Sequence, residues 1–134
     1  SSSTLNQINI YSNYFKKKQK LLKSDNKKFF QNIEVRMIML EDYLKKKQIS
    51  NIDFIKIDTE GYEFEILKGL KAMISEVKLI MFEHHYDDMI KKSYKYSDIS
   101  KFLKDNDFEK IYKSKMPFRK TFEYIFLNKK YTKR

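Results

Sequence analysis

Two short apolar runs with a helical stretch between them constrain this chain more than any other feature. Residues 52–58 read IDFIKID and residues 77–83 read VKLIMFE. Each has the length of a strand, and the apolar density expected of a strand buried on both faces. Between them the period changes. Phe64, Ile66, Leu67, Leu70, Met73 and Ile74 share one broad helical face, while Glu63, Glu65, Lys68 and Lys71 lie mostly elsewhere. Strand, helix and strand within about 30 residues make a βαβ unit, and a helical crossover of that kind joins parallel strands. The fold class is therefore α/β.

The flanking segments extend this pattern. Ile33, Val35, Met37 and Met39 alternate with Glu34 and Arg36, which predicts a strand and places the start of order at Ile33. Leu40 to Lys47 reads as a short helix with Glu41 and Asp42 in its first turn. Ser97 is the expected cap of a helix carrying Ile99, Phe102 and Leu103, which Asp105-Asn106 should end. Phe108–Lys113 and Thr121–Leu127 read as strands. Their Pro117-bearing link is too short for a parallel crossover, so they should form an antiparallel hairpin. Residues 1–31 are polar and carry the runs Lys16-Lys17-Lys18 and Lys27-Lys28. We expect a weakly ordered loop there with one short helix, and a frayed tail from Asn128. The whole is read as one domain over 1–134 with its structured core at 33–127.

Composition removes several function classes. A chain of 134 residues, 41% apolar and 16% aromatic, can bury one small core. It contains no Cys, so a disulfide scaffold and thiolate metal sites are excluded, and two His are too few for a His-rich metal centre. No metal is expected. No run approaches the length of a transmembrane helix, and Ser1-Ser2-Ser3-Thr4 lacks the basic and apolar regions of a signal peptide. A soluble cytoplasmic protein without a membrane partner is the expectation. The formal charge of +11 admits a nucleic-acid partner. Arg, the commonest reader of base edges, is scarce, however. The excess of Lys, Ile, Asn, Tyr and Phe over two Gly and one Pro has the look of an AT-rich coding sequence. Nucleic acid is therefore not the expected partner.

The residues suited to chemistry cluster at strand ends. Asp58 and Glu60 stand where the first apolar strand gives way to the helix, with Gly61 permitting a sharp turn. Glu83, His84 and His85 close the second strand. In open α/β sheets ligands bind beyond the carboxyl ends of the strands. If the two strands are parallel neighbours, Asp58, Glu60, Glu83 and His84 converge at one edge. Carboxylates and an imidazole at such a mouth suit proton transfer, hydroxyl binding or a hard metal ion. Structural roles compete with each of these. Asp58 and Glu60 suit a helix N-terminus, and Lys56 shares a strand face with Asp58 as an ion-pair partner. His84 and His85 point opposite ways along a continuing strand, so one of them is structural.

The blocks LEDYL (40–44), IDFIKIDTEGYEFEILKG (52–69) and FEHH (82–85), with their spacing, resemble the FkbM-type methyltransferases. The resemblance implies a Rossmann-like class I methyltransferase fold. It also implies methyl transfer from S-adenosylmethionine, usually to a hydroxyl of a sugar or other small acceptor. In that reading Asp58 and Glu60 close the fourth strand of the sheet and Glu83 the fifth, and residues 108–127 form the terminal hairpin. The family's Gly-rich cofactor loop has no counterpart here, since the only glycines are Gly61 and Gly69. The expectation is thus the C-terminal half of the fold, with the N-terminal cofactor-loop half missing. No cofactor-binding residue is assigned, and self-association through the surface left uncovered is expected. Asp58 is ranked first for function, then Glu60, Glu83 and His84. A non-catalytic remnant of the same fold and a small basic nucleic-acid-binding protein are the alternatives.

Overall fold

The computed structural model describes residues 4–22 and 31–132. Helix α1 (Asn13–Leu22) and helix α2 (Leu40–Lys46) precede strand β1 (Ile52–Ile57). Helix α3 (Glu63–Lys68) and a 3₁₀ turn (Lys71–Glu76) lead into strand β2 (Val77–His85). Helix α4 (Tyr96–Asp105), strand β3 (Phe108–Lys115) and strand β4 (Thr121–Asn128) follow, and Lys129–Tyr131 forms a closing 3₁₀ turn. The four strands form one sheet in the order β1-β2-β4-β3. β1 and β2 are parallel, with Ile55 opposite Ile80 and Ile57 opposite Phe82. β4 runs antiparallel to both β2 and β3. The βαβ unit and the terminal hairpin form as the sequence predicts.

The core lies on one face of the sheet. Ile57, Ile80, Phe82, Tyr124 and Phe126 meet Leu67, Leu70 and Ile74 from the crossover and Ile99 and Leu103 from α4. Each such side chain contributes about 1.5–3 kcal/mol by leaving water. Asn128 fastens the ends of β4 and β2, donating from Nδ2 to the Ser75 and Val77 carbonyls at 3.2 and 3.1 Å. On the opposite face the register aligns Phe54, Leu79 and Leu127, with Met81 beside Ile125. Phe54 there is 50% exposed.

Four expectations are corrected. Residues 31–39 form no strand, and all are exposed, Ile33 at 73%. An alternating pattern becomes a strand only beside a partner, and β1 pairs with β2 alone among the described residues. For the same reason β1 is an edge rather than a doubly buried strand, with only Ile57 fully covered. Ile57, Leu67 and Leu70 are nonetheless buried in the core, while Phe54 is exposed. Ser97 does not cap α4. The cap is Lys95, two residues earlier, the helix begins at Tyr96, and Asp98 Oδ2 accepts from the Lys95 amide at 2.7 Å. The helical face from Phe64 to Ile74 is not one helix: it breaks at Gly69-Leu70, where Lys71 takes a φ of 46°, and continues as 3₁₀.

The basic stretch expected to be loose carries structure where it is described. Ser12 Oγ accepts from the Phe15 amide at 3.0 Å and starts α1. Phe15 packs with Met89 and Ile90. Ile8 bridges to Ile90, and the Asn9 amide donates to the Met89 carbonyl at 2.7 Å. Lys27-Lys28 lies outside the described residues.

Candidate active site

The parallel pairing of β1 and β2 brings their carboxyl ends to one edge, and the loop after β1 crosses it. Glu60 and Gly61 have φ of 50° and 100°, so two successive residues occupy the left-handed region. A non-glycine residue there is strained and must be held. The restraints are visible. Thr4 Oγ1 donates to the Glu60 carbonyl at 2.7 Å, and Asn6 Nδ2 donates to the Gly61 carbonyl. Glu63 in the first turn of α3, fully buried, accepts from the Gly61 amide at 2.8 Å, the Thr59 hydroxyl at 3.3 Å and the Tyr94 hydroxyl. This carboxylate fixes the loop; the sequence reading passed it over as an ordinary polar helix residue.

Glu60, Glu83 and His85 meet at this edge. His85 Nε2 lies 3.1 Å from Glu60 Oε2, without the alignment of a hydrogen bond, and 4.0 Å from Glu83 Oε2. On its other side His85 Nδ1 shares a hydrogen bond with the Thr121 hydroxyl at 3.0 Å and lies 3.8 Å from Asp87 Oδ2. Burial disfavours the imidazolium, but Asp87 and Glu60 outweigh it and raise the His85 pKa. Burial acts on Asp87 as well, and there His85 and the Met89 amide prevail, holding its carboxyl below the usual range. Burial and then the charge of Asp58 raise the Glu83 pKa.

Asp58 sits at the outer rim. Its side chain is 47% exposed and pairs with Lys56 at 3.6 Å, the partner that strand parity indicates. Its charge reaches Glu83, which follows Phe82 as Asp58 follows the paired Ile57. Three of the four predicted residues therefore meet. His84 does not join them, which corrects the expected convergence. It occupies the opposite face of β2, packed against Tyr86, Tyr94 and Tyr96. The place expected for His84 belongs to His85. Period two along the strand carries that signal, since Glu83 and His85 share a face. Asp87 and Thr121 gave no local signal; they come from a loop and from a strand 36 residues beyond His85.

The arrangement can hold a hydroxyl and take its proton. Among the described residues no group of three His, Asp or Glu has the geometry to hold a metal ion. No helix among them is long and apolar enough to cross a membrane.

A four-stranded α/β unit with acidic groups gathered at its parallel strand ends is the framework of a ligand-binding enzyme domain. The family model described as the methyltransferase FkbM domain matches residues 3–110, and the chain belongs to that family. No curated protein and no solved structure matches the chain.

Proposed function

We propose that the chain is the acceptor-side part of an S-adenosylmethionine-dependent O-methyltransferase, acting on a hydroxyl of a sugar or other small molecule. Family membership supports methyl transfer. The strand order β1-β2-β4-β3, with β4 antiparallel, is consistent with the last four strands of a class I methyltransferase sheet. The observation that carries the acceptor reading is Glu83, a nearly buried carboxyl between Asp58 and His85 at the end of the inner parallel strand.

S-adenosylmethionine supplies an electrophilic methyl group when bound. The residues here do not form its cradle. The space a Cβ would take at Gly61 already holds Ile90 Cγ2 at 2.7 Å and Asn6 Nδ2 at 2.9 Å, and that at Gly69 is closed by backbone. Neither glycine offers a ligand close approach, so the groups that hold the donor come from outside these residues.

The roles on this side follow from the geometry. Asp58, the most exposed carboxylate, accepts a hydrogen bond from the incoming acceptor. Glu83 takes the hydroxyl proton, because a base works best with its pKa near the working pH and burial moves Glu83 in that direction. Glu60 and Asp87 hold His85, whose charge stabilises the acidic group from behind. The test is methyl transfer from labelled S-adenosylmethionine to a hydroxylated acceptor by the protein joined to its cofactor-binding part. Glu83→Gln should lower turnover by about 10²-fold or more with the melting temperature preserved. Unchanged turnover in that variant, or label found on nitrogen, contradicts the proposal.

A further inference from the structure

A cleft of about 420 Å³ opens beside the carboxyl end of β2, with Asp87 and Lys92 at its border. Its walls are aromatic. His84 lies edge-on to Tyr86 at 4.8 Å between ring centroids, with Tyr94 at 5.9 Å and Tyr96 at 6.0 Å. Tyr96 is itself fixed by stacking on Tyr124 at 4.2 Å. Three buried polar atoms on residues of this lining have no hydrogen-bond partner: His84 Nδ1, on a residue only 3% exposed, the Tyr96 hydroxyl, and His85 Nε2, which lies 3.1 Å from Glu60 Oε2. Neighbouring tyrosines are satisfied, Tyr94 by Glu63 and Tyr86 by Tyr124 at 2.8 Å. Unpartnered buried polar atoms are costly and rare, so His84 Nδ1 and the Tyr96 hydroxyl, both on residues that line one cleft, indicate a group that arrives from outside.

The chemistry of that group is narrow. Burial, then Lys92 and His85, push the His84 pKa down to about 4, so the ring is neutral near pH 7. Lys92 donates to the His85 carbonyl and sits near Asp87, Glu63 and Glu60, so its charge is matched within the protein. An imidazole nitrogen and a phenol can both be satisfied by one hydroxyl, which donates once and accepts twice. Tyrosine faces take the flat apolar side of a ring. We propose that this cleft binds an uncharged ring bearing a free hydroxyl, the ring against the tyrosines and the hydroxyl between His84 Nδ1 and the Tyr96 hydroxyl. A pyranose and a phenol share this chemistry. His84 lies on the opposite face of β2 from Glu83, and neither Glu83 nor Asp58 lines the cleft, so this binding does not depend on the methyltransferase reading.

The experiment follows the His84 side-chain ¹⁵N resonances of the chain in the absence of any methyl donor. Methyl β-glucopyranoside is titrated in one arm, phenol in a second and toluene in a third. One of the two hydroxylated probes should shift His84 Nδ1 saturably while toluene leaves it in place, and the probe that does so names the source. Tyr96→Phe, checked for an unchanged melting temperature, should weaken that probe about tenfold. Silence of His84 toward both hydroxylated probes, an equal response to toluene, or full affinity in Tyr96→Phe overturns the site.

Discussion

Adjacent residues at the end of β2 meet opposite electrostatic surroundings. His84 is buried among rings and held neutral, while His85, one residue on, lies among carboxylates that favour its charge. Stability should record the difference in separate pH windows. The folded-state pKa of His84, about 4, lies below its unfolded value near 6.5, so its contribution is complete above pH 6.5. It is lost as pH falls from there toward 4. The loss from this one residue is about 3 kcal/mol at most. His85 has the opposite sign: its contribution is present below its unfolded pKa and fades as pH rises through the raised folded value. Glu83, also raised, relieves some strain as acid protonates it and runs against the His84 effect. His84→Phe should therefore flatten the fall in melting temperature between pH 6.5 and 4 and leave the slope above 6.5 unaltered. A slope in the acid window equal to that of the unsubstituted protein contradicts the assignment.

At the scale of elements, the turn after β1 concentrates the strain that the site needs. Gly61 combines φ of 100° with neighbours at 2.7 and 2.9 Å from where a Cβ would stand. Gly61→Ala should cost about 1–3 kcal/mol and loosen Glu60, which a lowered melting temperature together with a shifted His85 resonance would report. A variant as stable as the original, with His85 unmoved, would show that the turn is not the support of Glu60. Much of the element pattern was legible. The run IDFIKID and the helical face from Phe64 to Ile74 determine a βαβ unit because each demands burial at its own period. The Phe108 and Thr121 strands follow from a link too short to cross over. What failed was partnership. Ile33 to Met39 alternate like a strand, but alternation says nothing about whether a neighbour is present, and among the described residues none pairs with them. In the site, Asp58, Glu60 and Glu83 were legible as strand-end acids. The choice between His84 and His85 turned on parity with Glu83. Glu63, Asp87 and Thr121 were out of reach because their roles arise from contacts made only in the folded chain.

At the scale of the molecule, one sheet does two jobs. Its inner face closes a core from Ile57 to Phe126, and its parallel edge sets Asp58 beside Glu83 so that one carboxylate tunes the other. That pairing is the central claim, and it is measurable in the protein joined to its cofactor-binding part. The acid limb of kcat/KM reports the base of the free enzyme. With Glu83 as that base, the limb should lie above the ordinary carboxylate range, because burial and the Asp58 charge both raise its pKa. Asp58→Asn removes a negative neighbour, so the limb should move to lower pH. His85→Gln removes a group whose charge lowers the Glu83 pKa, so the limb should move to higher pH. The decisive measurement is the pH profile of methyl transfer in these two variants beside the unsubstituted enzyme. Displacements of opposite sign are the result this account predicts, and a limb that stays in place in both variants, or moves the same way in both, contradicts it.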